Sequence, residues 1–140
     1  MLSLKELVIL VIVDHVFFRV FLTDYLTSFG CFKDTGNRAI PPLEGKDPIL
    51  DGSNYQNRKH AIAKCAVASL RKDYHMFALQ HDGWCASSTT AENTFDKHGR
   101  GGSCQGGGEG GPWANDVYVL GKNSISIFIN LNNVQDIQRR

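Results

Sequence analysis

The sequence predicts an α+β fold, a small antiparallel β-sheet packed on one α-helix and stapled by disulfides. Three observations carry this. Cysteines stand at Cys31, Cys65, Cys85 and Cys104, spread through the central region. A single stretch, Ala61–Leu70, is rich in helix formers and free of Gly and Pro. The segments around it are short, apolar and bounded by turn residues, as strands are.

The 140 residues leave room for one domain and little for a second. The division expected is a hydrophobic, signal-like segment over 1–24, the domain over 25–120, and a tail over 121–140. Formal net charge is +1, with acidic and basic residues mixed along the chain. That excludes the basic field that gathers nucleic acid or an anionic membrane. The central region is poor in large aliphatics, and so lean a core usually recruits covalent staples. The cysteine separations are 34, 20 and 19, with no C-x-x-C pair, so neither a zinc knuckle nor a redox pair is favoured. An even count, a lean core and a hydrophobic N-terminus together point to disulfides in an oxidising compartment, hence a secreted, extracellular protein.

At the N-terminus, Lys5 precedes the apolar run Leu7–Val13, long enough for a short signal-peptide core. Asp14, His15 and Arg19 then interrupt it, and the stretch is too charged for a membrane span of ~20 apolar residues. A weak signal sequence is the favoured reading, ahead of an N-terminal helix or a gene-model artefact.

Next, Phe29–Lys33 and Arg38–Ile40 flank Asp34-Thr35-Gly36-Asn37, a turn composition that predicts a β-hairpin. Pro41 and Pro42 are expected to end ladder pairing, and a loop follows to Asn54. Asn54 or Asn57 is expected to cap the helix. On the helix, Ile62, Ala66 and Leu70 share a stripe with Cys65 and Ser69 beside it, which lets the Cys65 sulfur reach a strand beneath. Met76–Gln80 and Gly83–Ala86 read as strands around the turn His81-Asp82-Gly83. Ser87–Asp96 is irregular, with a helical turn near Ala91–Phe95. Gly99–Gly111 holds eight of the fourteen glycines and leads into a closing strand over Pro112–Val119. Ile125, Ile127, Ile129 and Leu131 alternate as a further strand would.

In their order these segments resemble the WSC domain, a cysteine-rich extracellular module. The resemblance rests on Gly30-Cys31-Phe32-Lys33-Asp34 and Arg38-Ala39-Ile40, then Cys65 within a helix, then Phe77-Ala78-Leu79-Gln80 with Gly83-Trp84-Cys85. It ends on Gly110-Gly111-Pro112-Trp113-Ala114-Asn115-Asp116-Val117-Tyr118. It covers about two thirds of the chain. WSC domains usually carry eight cysteines and this chain has four, so the resemblance is to a diverged lineage. It implies a compact antiparallel sheet on one helix, related to PAN/apple modules, and binding of extracellular glycans or glycoproteins. The alternative is a protein-interaction or structural module without glycan binding. Of the three possible cysteine pairings, Cys65–Cys85 and Cys31–Cys104 are expected: one pins the helix to the sheet, the other ties the opening strand to the segment before the closing one.

No catalytic constellation emerges, and an enzyme is not expected. The glycine stretch lacks the preceding strand and the Gly-Lys-Ser/Thr of a phosphate loop, and a partner cysteine accounts for Cys85 more simply than a thiol nucleophile does. The five histidines lack His-x-x-x-His spacing and the loop carboxylates lack a D-x-D-x-D-G run, so no metal or other cofactor is expected. Sugars are held by aromatic faces with amides and carboxylates nearby. Trp113, Asn115, Asp116, Gln80 and Asp82, with Tyr55, supply those types near loops and form the expected ligand-binding set. In a closing strand, Trp113 and Asn115 would share one face. Trp84, next to a disulfide cysteine, is expected to complete the core.

Overall fold

The computed structural model describes residues 8–13, 16–21, 26–51 and 54–121. The chain divides into two compact units, one of Ser28–Val119 and one of Met1–Thr27 with Leu120–Arg140.

In the terminal unit, β1 (Val8–Val13) and β2 (Val16–Phe21) pair antiparallel, with Val8 opposite Phe21 and Val13 opposite Val16. Valine, isoleucine and phenylalanine take ten of the twelve positions in the two strands, and such residues suit a pleated backbone. The stretch is therefore strand, not the N-terminal helix that its apolar run also allowed. The strand expected through Ile125–Leu131 lies outside the described residues.

The fold of the main unit is the α+β one expected. Strands β3 (Leu26–Lys33), β4 (Met76–Gln80), β5 (Trp84–Ser87) and β6 (Ala114–Leu120) form an antiparallel sheet in the order β3-β6-β4-β5. Every residue of β4 is buried, as a central strand covered on both faces requires. One face carries Phe77, Leu79 and Cys85, and α1 (Ala61–Leu70) reaches it through the Cys65–Cys85 disulfide. On the other face Met76, Ala78, Ala86 and Val117 pack with Phe32, Ala39, Ile40 and Ala91, the last from the single-turn α2 (Ala91–Thr94). Both expected disulfides are present, Cys31–Cys104 and Cys65–Cys85, with Cα separations of 6.1 and 5.4 Å.

Several local expectations need correction. Arg38–Ile40 does not return as a hairpin strand, because Asp34 turns inward and captures the chain. Its Oδ1 accepts from the Ala39 N–H at 2.9 Å and its Oδ2 accepts from Arg38 Nη1 at 3.0 Å. The partner of β3 in the sheet is β6 instead. Pro41 and Pro42 do not end pairing either. A proline lacks only its N–H, and the Pro41 carbonyl accepts from Ser87 N while Leu43 N donates to the Cys85 carbonyl. This covers the outer edge of β5, which would otherwise stand open.

The helix departs at both its start and its face. Asn54 caps a short 3₁₀ turn, Tyr55–Asn57, and α1 begins at His60 in a left-handed conformation (φ 57°) with no side-chain cap. Its buried side chains are small: Ala61, Ala63, Cys65, Ala66, Ala68 and Ser69. Ile62 and Leu70, expected on the buried stripe, are only half-buried. Small side chains let the helix lie close to the sheet, and the larger ones flank the contact.

Candidate functional site

Register on the second sheet face creates a row across three strands. Gln80 stands opposite Trp84 on β5 and opposite Asn115 on β6, and residues directly paired in an antiparallel ladder project from the same face. The turn before β6 adds the fourth member. Gly111 and Ala114 exchange backbone hydrogen bonds at 3.0 and 3.1 Å, leaving Pro112 and Trp113 at the corners. Proline is at home in the first corner, but the second takes a positive φ that usually selects glycine. Trp113 occupies it at φ 52°, a strained conformation for a large side chain.

Other contacts lock that turn in place. The Trp113 carbonyl accepts from Asp34 N at 2.9 Å, the Pro112 carbonyl from Ser103 Oγ at 2.6 Å, and the Gly111 carbonyl from His81 N at 3.2 Å. Gly110 has φ +74°, and an added Cβ there would run into the Leu79 and Ala114 carbonyls. Only glycine lets the turn lie so close against β4. The Trp113 ring is then held in the open: the residue is 56% exposed, with the Arg38 guanidinium 4.8 Å from its ring centroid.

Arg38 is fixed from behind. Its Nη1 donates to both Asp34 and Gln80 Oε1, and Gln80 Nε2 donates to Asp34 Oδ2 at 3.1 Å. Burial alone would raise the Asp34 pKa. Hydrogen bonds from Ala39 N–H, Arg38 and Thr35 N–H, with the Arg38 charge, outweigh it and hold the carboxyl below its ordinary value. On the far side, Tyr55 stands edge-on to Trp84 with centroids 5.0 Å apart and lies 5.9 Å from the His81 ring. Together Arg38, Tyr55, Gln80, His81, Trp84, Pro112 and Trp113 line an open pocket of about 350 Å³.

The expected ligand-binding residues separate into two groups. Trp113, Gln80 and Tyr55 line this pocket. Asn115 does not present an amide to solvent beside Trp113: it is 1% exposed, buried in the sheet opposite Gln80, while Trp113 belongs to the turn before the strand. Asp82 and Asp116 do not line the pocket and lie with Glu109 by the glycine loop. The Asp82 N–H donates to the Glu109 carbonyl, and Asp116 Oδ2 accepts from Gly110 N at 2.9 Å. Burial raises the Asp116 pKa, against the Gly110 hydrogen bond, and burial followed by the Asp82 charge raises that of Glu109. Trp84, expected in the core, is half-buried on the pocket wall.

No protein-family model, curated protein or solved structure matches this chain. The functional reading therefore rests on the pocket. Arg38, His81 and Trp84 were missed as its residues. Trp84 and His81 flank the same short turn as Gln80, which was a usable signal. Arg38 lay across a loop whose path depends on the inward turn of Asp34. Among the described residues no cluster of three His, Cys, Asp or Glu side chains has metal-binding geometry, and no helix is long and apolar enough to cross a membrane.

Proposed function

We propose that the protein is an extracellular carbohydrate-binding module of a diverged WSC-like kind, with the Arg38–Trp113 pocket as its binding site. The observation that carries this is the Trp113 ring, exposed and rigidly presented on a strained turn, beside a shallow pocket walled by further aromatic and amide side chains. Sugar rings bind by laying C–H faces on such platforms while their hydroxyls meet fixed polar groups. Strained backbone clusters at functional sites, and of the five non-glycine residues with positive φ among the described residues, His81 and Trp113 both line this pocket. The two disulfides fit an oxidising compartment, and with it secretion.

A second reading, a protein-interaction module, draws on the same pair, since exposed Trp and Arg also anchor protein interfaces. A glycan array probed with the full-length, oxidised protein separates the two. Binding to a defined set of glycans is expected, and Trp113→Ala should abolish it while moving the melting temperature by no more than a few degrees. An empty array, or a Trp113→Ala variant that binds as the wild type does, would remove the carbohydrate reading.

A further inference from the structure

Among the described residues the pocket wall carries one cation, Arg38, whose outer edge is unused. Gln80 is spent at both ends: its Oε1 accepts from Arg38 and its Nε2 donates to Asp34. Trp84 and Trp113 have only an indole N–H to offer, and Arg38 has donors and no acceptor. Arg38 uses Nη1 alone for its two protein contacts. Its Nε and Nη2 have no partner among the described residues, and its side chain is 31% exposed. Among the described residues no carboxylate lines the pocket. Asp34 is 2% exposed behind Arg38, and Asp82 and Asp116 sit with Glu109 at the glycine loop.

Tyr55 and His81 can exchange hydrogen bonds with the hydroxyls of any sugar, but only an anionic group answers the open guanidinium edge with two charge-assisted bonds. From that open edge we infer that the pocket prefers an acidic sugar, with the pyranose on Trp113 and a ring carboxylate on the free Nε–Nη2 edge of Arg38. The inference rests on the carbohydrate reading above. The planar guanidinium edge presents two parallel N–H groups at the spacing of carboxylate oxygens, a match that lysine cannot make. The Asp34 contact and the stacking on Trp113 fix the plane of that edge before any ligand arrives. Asp34 already offsets the Arg38 charge, so the preference comes from these directed bonds and not from a long-range field.

The test is calorimetric titration of the full-length, oxidised protein with an α-1,4-linked galacturonate trisaccharide, its methyl ester, the galactose trisaccharide of the same linkage, and a sulfated galactose trisaccharide. The acidic trisaccharide should bind about tenfold more tightly than its ester or the neutral sugar, as charge-assisted bidentate bonds allow. Arg38→Lys should erase that difference, and Trp113→Ala should weaken every sugar alike. The ester removes the charge from the ligand side, so the comparison stands even if Arg38→Lys fails to fold. Equal affinity for the acidic and neutral sugars would overturn this inference and leave the carbohydrate reading intact. Tighter binding of the sulfated sugar would overturn the carboxylate assignment. Binding of none of the four, with an empty glycan array, would overturn both proposals.

Discussion

Removing either disulfide should cost nearly the same stability, although one is buried and the other is not. Cys65–Cys85 closes a loop of 20 residues and Cys31–Cys104 one of 73. The chain-entropy relation assigns these loops about 3.3 and about 4.4 kcal/mol. Cys65 and Cys85 are fully buried, so truncating both to alanine adds a packing loss of about 1 kcal/mol and brings the two pairs level. Urea unfolding of Cys65→Ala/Cys85→Ala and Cys31→Ala/Cys104→Ala, followed by near-ultraviolet circular dichroism, measures this. At a slope of about 2 kcal/mol per molar urea, each double variant should lose about 2 M in its midpoint. A variant lacking all four cysteines should not fold, since the combined loss rivals the 5–15 kcal/mol that holds an ordinary domain together. A loss below about 1 kcal/mol for Cys31→Ala/Cys104→Ala would refute the reasoning, because the longer loop would then not be limiting the unfolded chain. Mild reductant should open Cys31–Cys104 first, as its sulfurs are only half-buried.

Two further perturbations probe what positions the pocket. Gly110→Ala forces a Cβ against the carbonyls of Leu79 and Ala114 at a positive φ, and should destabilise by about 2 kcal/mol or more in thermal unfolding while weakening sugar binding; a neutral effect would mean the turn is not pinned to β4 as described. Asp34 supplies a pH signature. Its folded-state pKa is held below that of an ordinary aspartate, so its stabilising contribution is present above the ordinary value and is lost as pH falls through and below it. Burial raises Glu109 and Asp116 instead, and they act in the opposite sense, gaining stability on protonation. Comparing the wild type with Asp34→Asn cancels their contribution. The stability gap, about 1–2 kcal/mol at pH 7, should narrow between pH 4 and pH 2; a constant gap would show that the Asp34 charge is not what holds Arg38.

Much of the fold could be read from local pattern. The helix Ala61–Leu70, the strand Met76–Gln80 and the Cys65–Cys85 bridge each rest on local pattern: an uninterrupted run of helix formers, a bounded apolar run, a cysteine on a buried helix face. The departures arose where a long-range contact overrode a local rule. The Asp34–Asn37 turn has hairpin composition, yet Asp34 gains more from Ala39, Arg38 and Gln80 than a hairpin offers. Pro41–Pro42 reads as a break, yet the Pro41 carbonyl still accepts from the edge strand and the Leu43 N–H beyond Pro42 still donates to it. Within the site, Trp113 was legible as an exposed aromatic at the mouth of the glycine loop. Asn115 was paired with Trp113 by strand alternation, but Trp113 belongs to the turn, and Asn115 lies buried beside Gln80, a cover that no local pattern reveals.

The central claim, that a sugar lies on Trp113 in the Arg38 pocket, is tested most directly by nuclear magnetic resonance titration of the labelled full-length protein with the best-binding sugar from the glycan array. The chain has two tryptophans, hence two indole N–H signals, and both side chains line the pocket. Saturable shifts of both indoles, with Arg38 and Gln80 side-chain signals moving in step, are the predicted result. Shifts centred on Glu109 and Asp116, with the indole signals unmoved at saturation, would contradict the account.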